Sequence, residues 1–398
     1  MKILSIDNYK LTGKKVLVRV DFNVPFNNDG EISDDTRIVE ALPTIKKIIE
    51  SGGKTILLSH LGRPKGSKNL KYSLKPVALK LSELLQKEVQ FSEDCIGPIA
   101  EEKISKLENG DVILLENLRF YKEEEENEIV FARTLSNLGD IYVNDAFGTS
   151  HRAHASTYGI AKFVTPSLAG YLLQKEIKFL GEAISNPQKP FTAILGGAKV
   201  SGKIDVIKNL FGKVDTILIG GGMMFTFYKA LNYEIGNSIL ESEKIELAKN
   251  LLQEAKEKNI DIILPVDTIV ADKFENSAST KIVDVKNIPQ NWIGVDIGPK
   301  TIELFTDKII NSKTILWNGP MGVFEIDNFA NGTIKIAEAL KTATQNGATT
   351  IVGGGDSASA IKKAKVEKYI THISTGGGAS LEFLEGKDLP GVKVLERY

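Results

Sequence analysis

Val16-Leu-Val-Arg-Val-Asp-Phe-Asn-Val-Pro25, followed by Thr36-Arg-Ile-Val-Glu-Ala-Leu-Pro-Thr-Ile-Lys-Lys-Ile-Ile-Glu-Ser51, decides the fold class. The first stretch is a short apolar, β-branched run ending in polar residues, and reads as a strand over Val16 to Asp21. The second places Ile38, Leu42, Ile45 and Ile49 at steps of three or four, which predicts an amphipathic helix stopping at Gly52-Gly53. Strand then helix recurs along the chain, the pattern of an α/β protein. Further strands are predicted at Thr55 to Ser59, Val112 to Glu116, Ile141 to Asp145, Phe191 to Leu195, Thr216 to Ile219, Ile262 to Pro265, Thr314 to Trp317, Thr349 to Val352 and His372 to Ser374. Runs so uniformly apolar suit strands covered on both faces, as in a parallel sheet. Helices are predicted at Val77 to Leu85, Lys244 to Lys258 and Thr333 to Ala343.

The 398 residues suit two domains rather than one. The boundary falls at Tyr171 to Phe191, where a helical pattern from Tyr171 is followed by the rigid connector Asn186-Pro-Gln-Lys-Pro190. This gives an N-terminal domain 1–170, a hinge helix and linker 171–190, and a C-terminal domain 191–388. A formal net charge of -1 argues against a nucleic-acid partner, and no apolar run approaches the roughly 20 residues of a membrane span. The single cysteine, Cys95, cannot form an internal disulfide and reads as a packing residue; a cytoplasmic monomer is expected. The acidic run Glu123 to Glu126 reads as a solvated loop or helix start.

Seven arginines stand against forty-three lysines, and six of the seven precede residue 153. Arginine's planar fork reads carboxylate and phosphate bidentately, so arginines kept in a lysine-rich chain suggest a geometric need. Asp21, Asn23 and Arg37 follow the first strand; Ser59-His-Leu-Gly-Arg-Pro64 follows the second with His60 and Arg63. Arg119 follows the third, and Arg152 between His151 and His154 follows the fourth. Open α/β sheets place ligands beyond such strand ends. An isolated arginine would ordinarily make a surface ion pair; four at successive strand ends point to an anion site. Arg19 and Arg133 read as structural, and His151 and His154 as packed or surface residues.

All three glycine triplets lie after residue 219. Ile194-Leu-Gly-Gly-Ala-Lys-Val-Ser-Gly-Lys203 ends a strand and opens a helix, and places Lys199 and Lys203 where phosphates bind. Gly197, Gly202 and Lys203 have Walker A spacing, but Ile204 replaces the Ser or Thr that would hold Mg²⁺, so that match reads as accidental. Gly220-Gly-Gly222 offers a flat surface for a nucleobase, although packing alone would explain Met223 and Phe225. Asp356, in Gly353-Gly-Gly-Asp-Ser357, is the candidate Mg²⁺ ligand. Gly376-Gly-Gly378 precedes a helix and would aim its amides at a transferring phosphoryl group.

In order, Arg19-Val-Asp-Phe-Asn-Val-Pro25, Ser59-His-Leu-Gly-Arg-Pro64, Gly196-Gly-Ala-Lys-Val200, Trp317-Asn-Gly-Pro320 and Gly353-Gly-Gly-Asp-Ser357 resemble the signatures of the phosphoglycerate kinase family. The resemblance implies an α/β fold of two Rossmann-like three-layer domains with mainly parallel sheets, joined by a hinge helix. It also implies that the segment 389–398 returns to the first domain. It assigns phosphoglycerate to Asp21, Phe22, Asn23, Arg37, His60, Leu61, Gly62, Arg63, Arg119 and Arg152. It assigns ATP or ADP to Lys199, Lys203, Gly222, Gly294, Asn318, Glu325, Gly353, Gly354, Gly355, Asp356 and Ser357, with Glu325 on the ribose and Asp356 on Mg²⁺. Arg37, Lys199, Gly376, Gly377 and Gly378 are the catalytic candidates. One departure is Gly202, where the family commonly has Asp. A catalytically inactive nucleotide-binding regulatory protein on the same fold is the alternative, and a dehydrogenase with twin α/β domains a third reading, disfavoured because no G-x-G-x-x-G occurs.

Overall fold

Strand β1, Lys15–Val20, buries Val16, Val18 and Val20 in one core with Ile38, Ala41, Ile45 and Ile48 of the helix Thr36–Glu50. Each fully buried isoleucine contributes about 1.5–3 kcal/mol, so the helix is held mainly by this apolar stripe. Asp21, expected as the last strand residue, lies one position beyond the strand and begins the loop that carries it. The computed structural model describes residues 3–396 and divides into two compact units. One comprises the chain up to Lys178 with the segment from Asp388; the other is Phe179–Lys387.

In the first unit β1 is joined by β2 (Lys54–Leu58), β3 (Val89–Ser92), β4 (Val112–Leu115), β5 (Ile141–Asp145) and β6 (Ser167–Ala169) in the order β3-β4-β2-β1-β5-β6. Every pairing is parallel. β4 and β5 are buried throughout, as strands covered on both faces must be. β3 and β6 were not legible because they are short edge strands. The C-terminal segment belongs to this unit: Gly391 donates to Ser150 O (2.9 Å) and its carbonyl accepts from Asn144 Nδ2 (2.9 Å). Arg397 and Tyr398 lie outside the described residues.

The second unit has β7 (Phe191–Leu195), β8 (Thr216–Ile219), β9 (Asp261–Ile263), β10 (Asp267–Ala271), β11 (Thr280–Asp284), β12 (Ile293–Ile297), β13 (Thr314–Asn318), β14 (Thr349–Gly353) and β15 (His372–Ile373). Six form a parallel sheet in the order β15-β14-β13-β7-β8-β9. The remaining three form an antiparallel sheet, β11-β10-β12, that the sequence reading lacked. Its β11 is largely exposed, so it shows no continuous apolar run. β9 begins one residue earlier and stops two residues sooner than predicted. β7 and β13 are neighbours where the strand order reverses, and their loops abut: a Cβ on Gly196 would fall 2.1 Å from Pro320 O.

The helix Tyr171–Ser185 crosses the division between the units. Asp145, at the end of β5, caps its start by accepting from Leu173 N at 3.2 Å. No helix of the described residues is long and apolar enough to cross a membrane. Cys95 is fully buried, and burial pushes its thiol well above the usual range, as befits a packing residue.

Candidate active site

In the first unit, loops beyond β1, β2, β4 and β5 bring cationic side chains to the same end of the sheet. Arg37, in the first turn of its helix, donates through Nη1 to Asp21 Oδ2 (3.0 Å) and Asn23 O (3.2 Å). Asn23 Oδ1 accepts from Gly62 N (2.8 Å), and Gly62 O accepts from Arg119 Nη1 (2.9 Å). Arg119 Nε lies 3.1 Å from Glu125 Oε1, while its Nη2 is buried without a hydrogen-bond partner. One bonded network thus links Asp21, Asn23, Arg37, Gly62 and Arg119, with His60 Nδ1 3.8 Å from Asp21 Oδ1. Phe22 and Leu61 are buried beside it. Arg63 is exposed, and no side-chain bond joins it or Arg152 to this network among the described residues.

The cluster repels itself. Burial, then Arg19, Arg119, Arg37 and His154, hold the His60 imidazole well below its usual range. Burial and the same kind of neighbours, with Arg152 among them, hold His154 at about 3. Arg119 is lowered first by burial and also by Arg19 and Arg152, with Glu125 opposing. Buried like charges of this kind are tolerated where an anion is to be received.

Sequence reading missed the scaffold behind these side chains. Asn117 Nδ2 donates to Leu61 O (2.7 Å) and Tyr72 O (2.8 Å), while its Oδ1 accepts from Leu61 N and Arg119 N (3.2 and 3.0 Å). That one amide locks the His60 loop to the Arg119 turn. Its signal was present in Leu115-Glu-Asn-Leu-Arg119, where only the arginine was singled out. The acidic run is also corrected: it does start a helix, Lys122–Glu125, but Glu124 is fully buried, accepting from Ser156 N (2.9 Å) and Ser156 Oγ (2.6 Å). His154 is buried and His151 partly so.

In the second unit the loops after β7, β13 and β14 meet. Lys203 Nζ donates to Asn318 Oδ1, Asn318 Nδ2 to Gly353 O (2.9 Å), and Gly319 N to Ser357 Oγ (2.6 Å). Burial pushes the Lys203 ammonium down to about 8, with Asp356 and Glu385 opposing. Lys199, Gly355, Asp356, Glu325 and Gly378 are exposed, whereas Gly376 is buried and donates to Ser374 Oγ (3.1 Å). Gly354 and Gly377 sit partly exposed at positive φ. Gly222 and Gly294 make no bond to the Lys203–Asn318 cluster. A Cβ on Gly294 would lie 2.0 Å from the Phe225 ring, and Met223 and Phe225 are core residues, as packing alone would have them. No cluster of three or more His, Cys, Asp or Glu among the described residues could hold a metal by itself.

Arginines gathered at the strand ends of one α/β unit and lysine-bearing glycine loops at the sheet switch point of the other suit a phosphotransferase. The model of the family described as phosphoglycerate kinase matches residues 6–387. Curated relatives named phosphoglycerate kinase include those of Chlorobium phaeobacteroides, 58% identical over 99% of this chain and 100% of that protein, and Chloroherpeton thalassium, 55% identical over 99% of each. Among solved structures, phosphoglycerate kinase from Coxiella burnetii matches with a TM-score of 0.90 at 44% identity over 99% of both chains. That from Pyrococcus horikoshii matches with a TM-score of 0.86 at 34% identity over 99% of this chain and 98% of that one. The chain belongs to the phosphoglycerate kinase family. It is a phosphotransferase with a carboxyl group as acceptor, moving a phosphoryl group reversibly between 1,3-bisphosphoglycerate and ADP; the inactive regulatory reading and the dehydrogenase reading have no support.

Proposed function

We propose that the first unit holds the phosphoglycerate and the second the nucleotide. The observation that carries this is the network joining Asp21, Asn23, Arg37, Gly62 and Arg119, with a buried, unmatched arginine nitrogen and His60 at its edge. Arg37, Arg63, Arg119, Arg152 and His60 supply donors to the substrate's carboxylate and phosphate. Asp21 and Asn23 orient Arg37 and accept from the substrate hydroxyl. Lys199, Lys203, Asn318 and the loop Gly353, Gly354, Gly355, Asp356 and Ser357 receive the nucleotide phosphates. Gly222, Gly294 and Glu325 take the base and ribose.

The acceptor carboxylate is already ionised near neutral pH, so no general base is required. What remains is alignment and stabilisation of a planar phosphoryl group between two oxygens. Arg37, Lys199 and the amides of Gly376, Gly377 and Gly378 supply this. Among the described residues no side-chain hydrogen bond is made to the exposed Asp356 carboxylate, and one free carboxylate beside the proposed phosphate-binding loop fits Mg²⁺, which is commonly held by one carboxylate plus nucleotide phosphates. When bound, Mg²⁺ would neutralise charge on the phosphates. With substrates on separate units, transfer requires a hinge motion that brings them together and excludes water from the acyl phosphate. The enzyme acts in this reading as a cytoplasmic monomer.

Calorimetric titration tests the division of labour. Arg37→Ala should weaken 3-phosphoglycerate binding by about a hundredfold, the scale for losing a buried charged contact, with ATP affinity unchanged. Equal weakening of both ligands would overturn the assignment.

A further inference from the structure

Arg19 lies inside β1, and its guanidinium has each nitrogen committed to a defined acceptor beside the proposed substrate site. Nε donates to Ser156 Oγ (2.7 Å), Nη1 to Val20 O, and Nη2 meets His60 Nδ1 at 3.2 Å. Ser156 Oγ in turn donates to Glu124 Oε1 at 2.6 Å, and all of these groups are buried. We infer that the Glu124–Ser156–Arg19 chain is a positioning device that fixes His60 as the neutral tautomer carrying its proton on Nε2, a dedicated hydrogen-bond donor to the substrate.

Donors and acceptors decide the tautomer. A guanidinium has five N–H donors and no acceptor. An imidazole nitrogen at hydrogen-bond distance from it must therefore offer a lone pair, so Nδ1 is unprotonated. Asp21 Oδ1, at 3.8 Å from the same nitrogen, is beyond hydrogen-bond reach and does not compete for a proton there. With Nδ1 bare, the ring is neutral only if Nε2 bears hydrogen. No protein group among the described residues bonds Nε2, and it is not one of the sealed polar atoms. It is left open as a donor. A charged imidazolium is opposed by the guanidinium groups facing the ring, those of Arg19, Arg37 and Arg119, against the carboxylate of Asp21, while His154, which also faces it, is itself held neutral by burial. Glu124 matters because Arg19 must present one edge to His60; the serine hydroxyl, itself oriented by Glu124, takes the Nε edge and leaves Nη2 for the ring.

This inference rests on the reading of His60 as a substrate ligand, and nitrogen NMR separates the two. The chain has four histidines, so ¹⁵N-imidazole labelling gives a simple spectrum, assigned for His60 with the His60→Gln variant. In the wild-type enzyme the Nδ1 resonance should be that of a bare nitrogen and the Nε2 resonance that of a protonated one, unchanged from pH 6 to pH 8. A protonated Nδ1, or an imidazolium, would overturn the tautomer inference even if 3-phosphoglycerate shifts the His60 signals. The expected tautomer with no shift on adding 3-phosphoglycerate would instead overturn the ligand reading, and with it the positioning role. Arg19→Lys, which keeps the charge and loses the fork, should give a mixture of neutral tautomers. It should also raise the KM for 3-phosphoglycerate about tenfold with kcat within about twofold, the worth of one hydrogen bond to a charged group. Ser156→Ala is the milder second variant should Arg19→Lys not fold, with the same direction expected. An unchanged tautomer in the folded variant would show that Arg19 only packs.

Discussion

The two candidate sites are built in opposite ways. In the first unit the site residues bond to one another: Arg37 to Asp21, Asn23 to Gly62, Gly62 to Arg119, and Asn117 ties the loops behind them. In the second, Lys199, Glu325 and Asp356 are exposed, and bonding gathers Lys203, Asn318 and Gly353, with Gly319 bonded to Ser357 beside them. A small rigid anion rewards a preformed cradle, because the ordering cost is met during folding. A nucleotide brings its own charge, and long lysines can adapt to phosphates that shift as the reaction proceeds.

Four measurements probe that contrast. Lys199→Ala removes an exposed donor from the open site and should slow turnover on the order of 10²- to 10³-fold, with the melting temperature unchanged. Near-normal kcat in a coupled assay would remove Lys199 from the mechanism. Arg119→Met should weaken 3-phosphoglycerate binding about a hundredfold. Because burial and the neighbouring Arg19 and Arg152 already disfavour its charge, the melting temperature of the ligand-free variant should hold or rise. A fall of several degrees in differential scanning calorimetry would show that the cradle stabilises the fold rather than straining it.

The third concerns pH. Lys203 loses its proton near pH 8 in the folded enzyme, so ATP affinity should drop by up to about tenfold one pH unit above that value, and Lys203→Arg should abolish the drop. The stability effect has the opposite sign. Between about pH 8 and the ordinary lysine range near 10.4 the unfolded chain binds the extra proton, so this residue's penalty on folding is relieved as pH rises. A flat ATP KM between pH 7 and pH 9 would show that Lys203 does not bear on phosphate. The smallest effect is expected of Gly202→Asp. A Cβ there meets nothing within 4 Å, so stability should change by less than about 0.5 kcal/mol and nucleotide KM by no more than a few fold. A large change would mean that the glycine matters to Lys203.

Legibility followed the physics of each feature. The strand-to-helix alternation was plain because Val16, Val18 and Val20 and the stripe Ile38, Leu42, Ile45 and Ile49 are apolar for the same reason, a shared core. The antiparallel sheet was hidden because β11 is exposed and carries no apolar signal. The inward turn of Glu124 was hidden because a charge run says nothing about which member turns inward; Ser156, distant along the chain and itself bonded by Arg19, gives the carboxylate somewhere to go.

The chain's own order of residues determined the α/β class, the placing of arginines and glycine loops at strand ends, and the family signatures, since all of these are written in local spacing. Tertiary structure alone decided which of those residues act together: that Arg37 clasps Asp21, that Arg63 stands apart, and that Arg19 meets His60. Hydrogen bonds join Arg37 to Asp21 across 16 positions of sequence and Arg19 to Ser156 across 137, and only a folded chain brings such atoms within bonding distance.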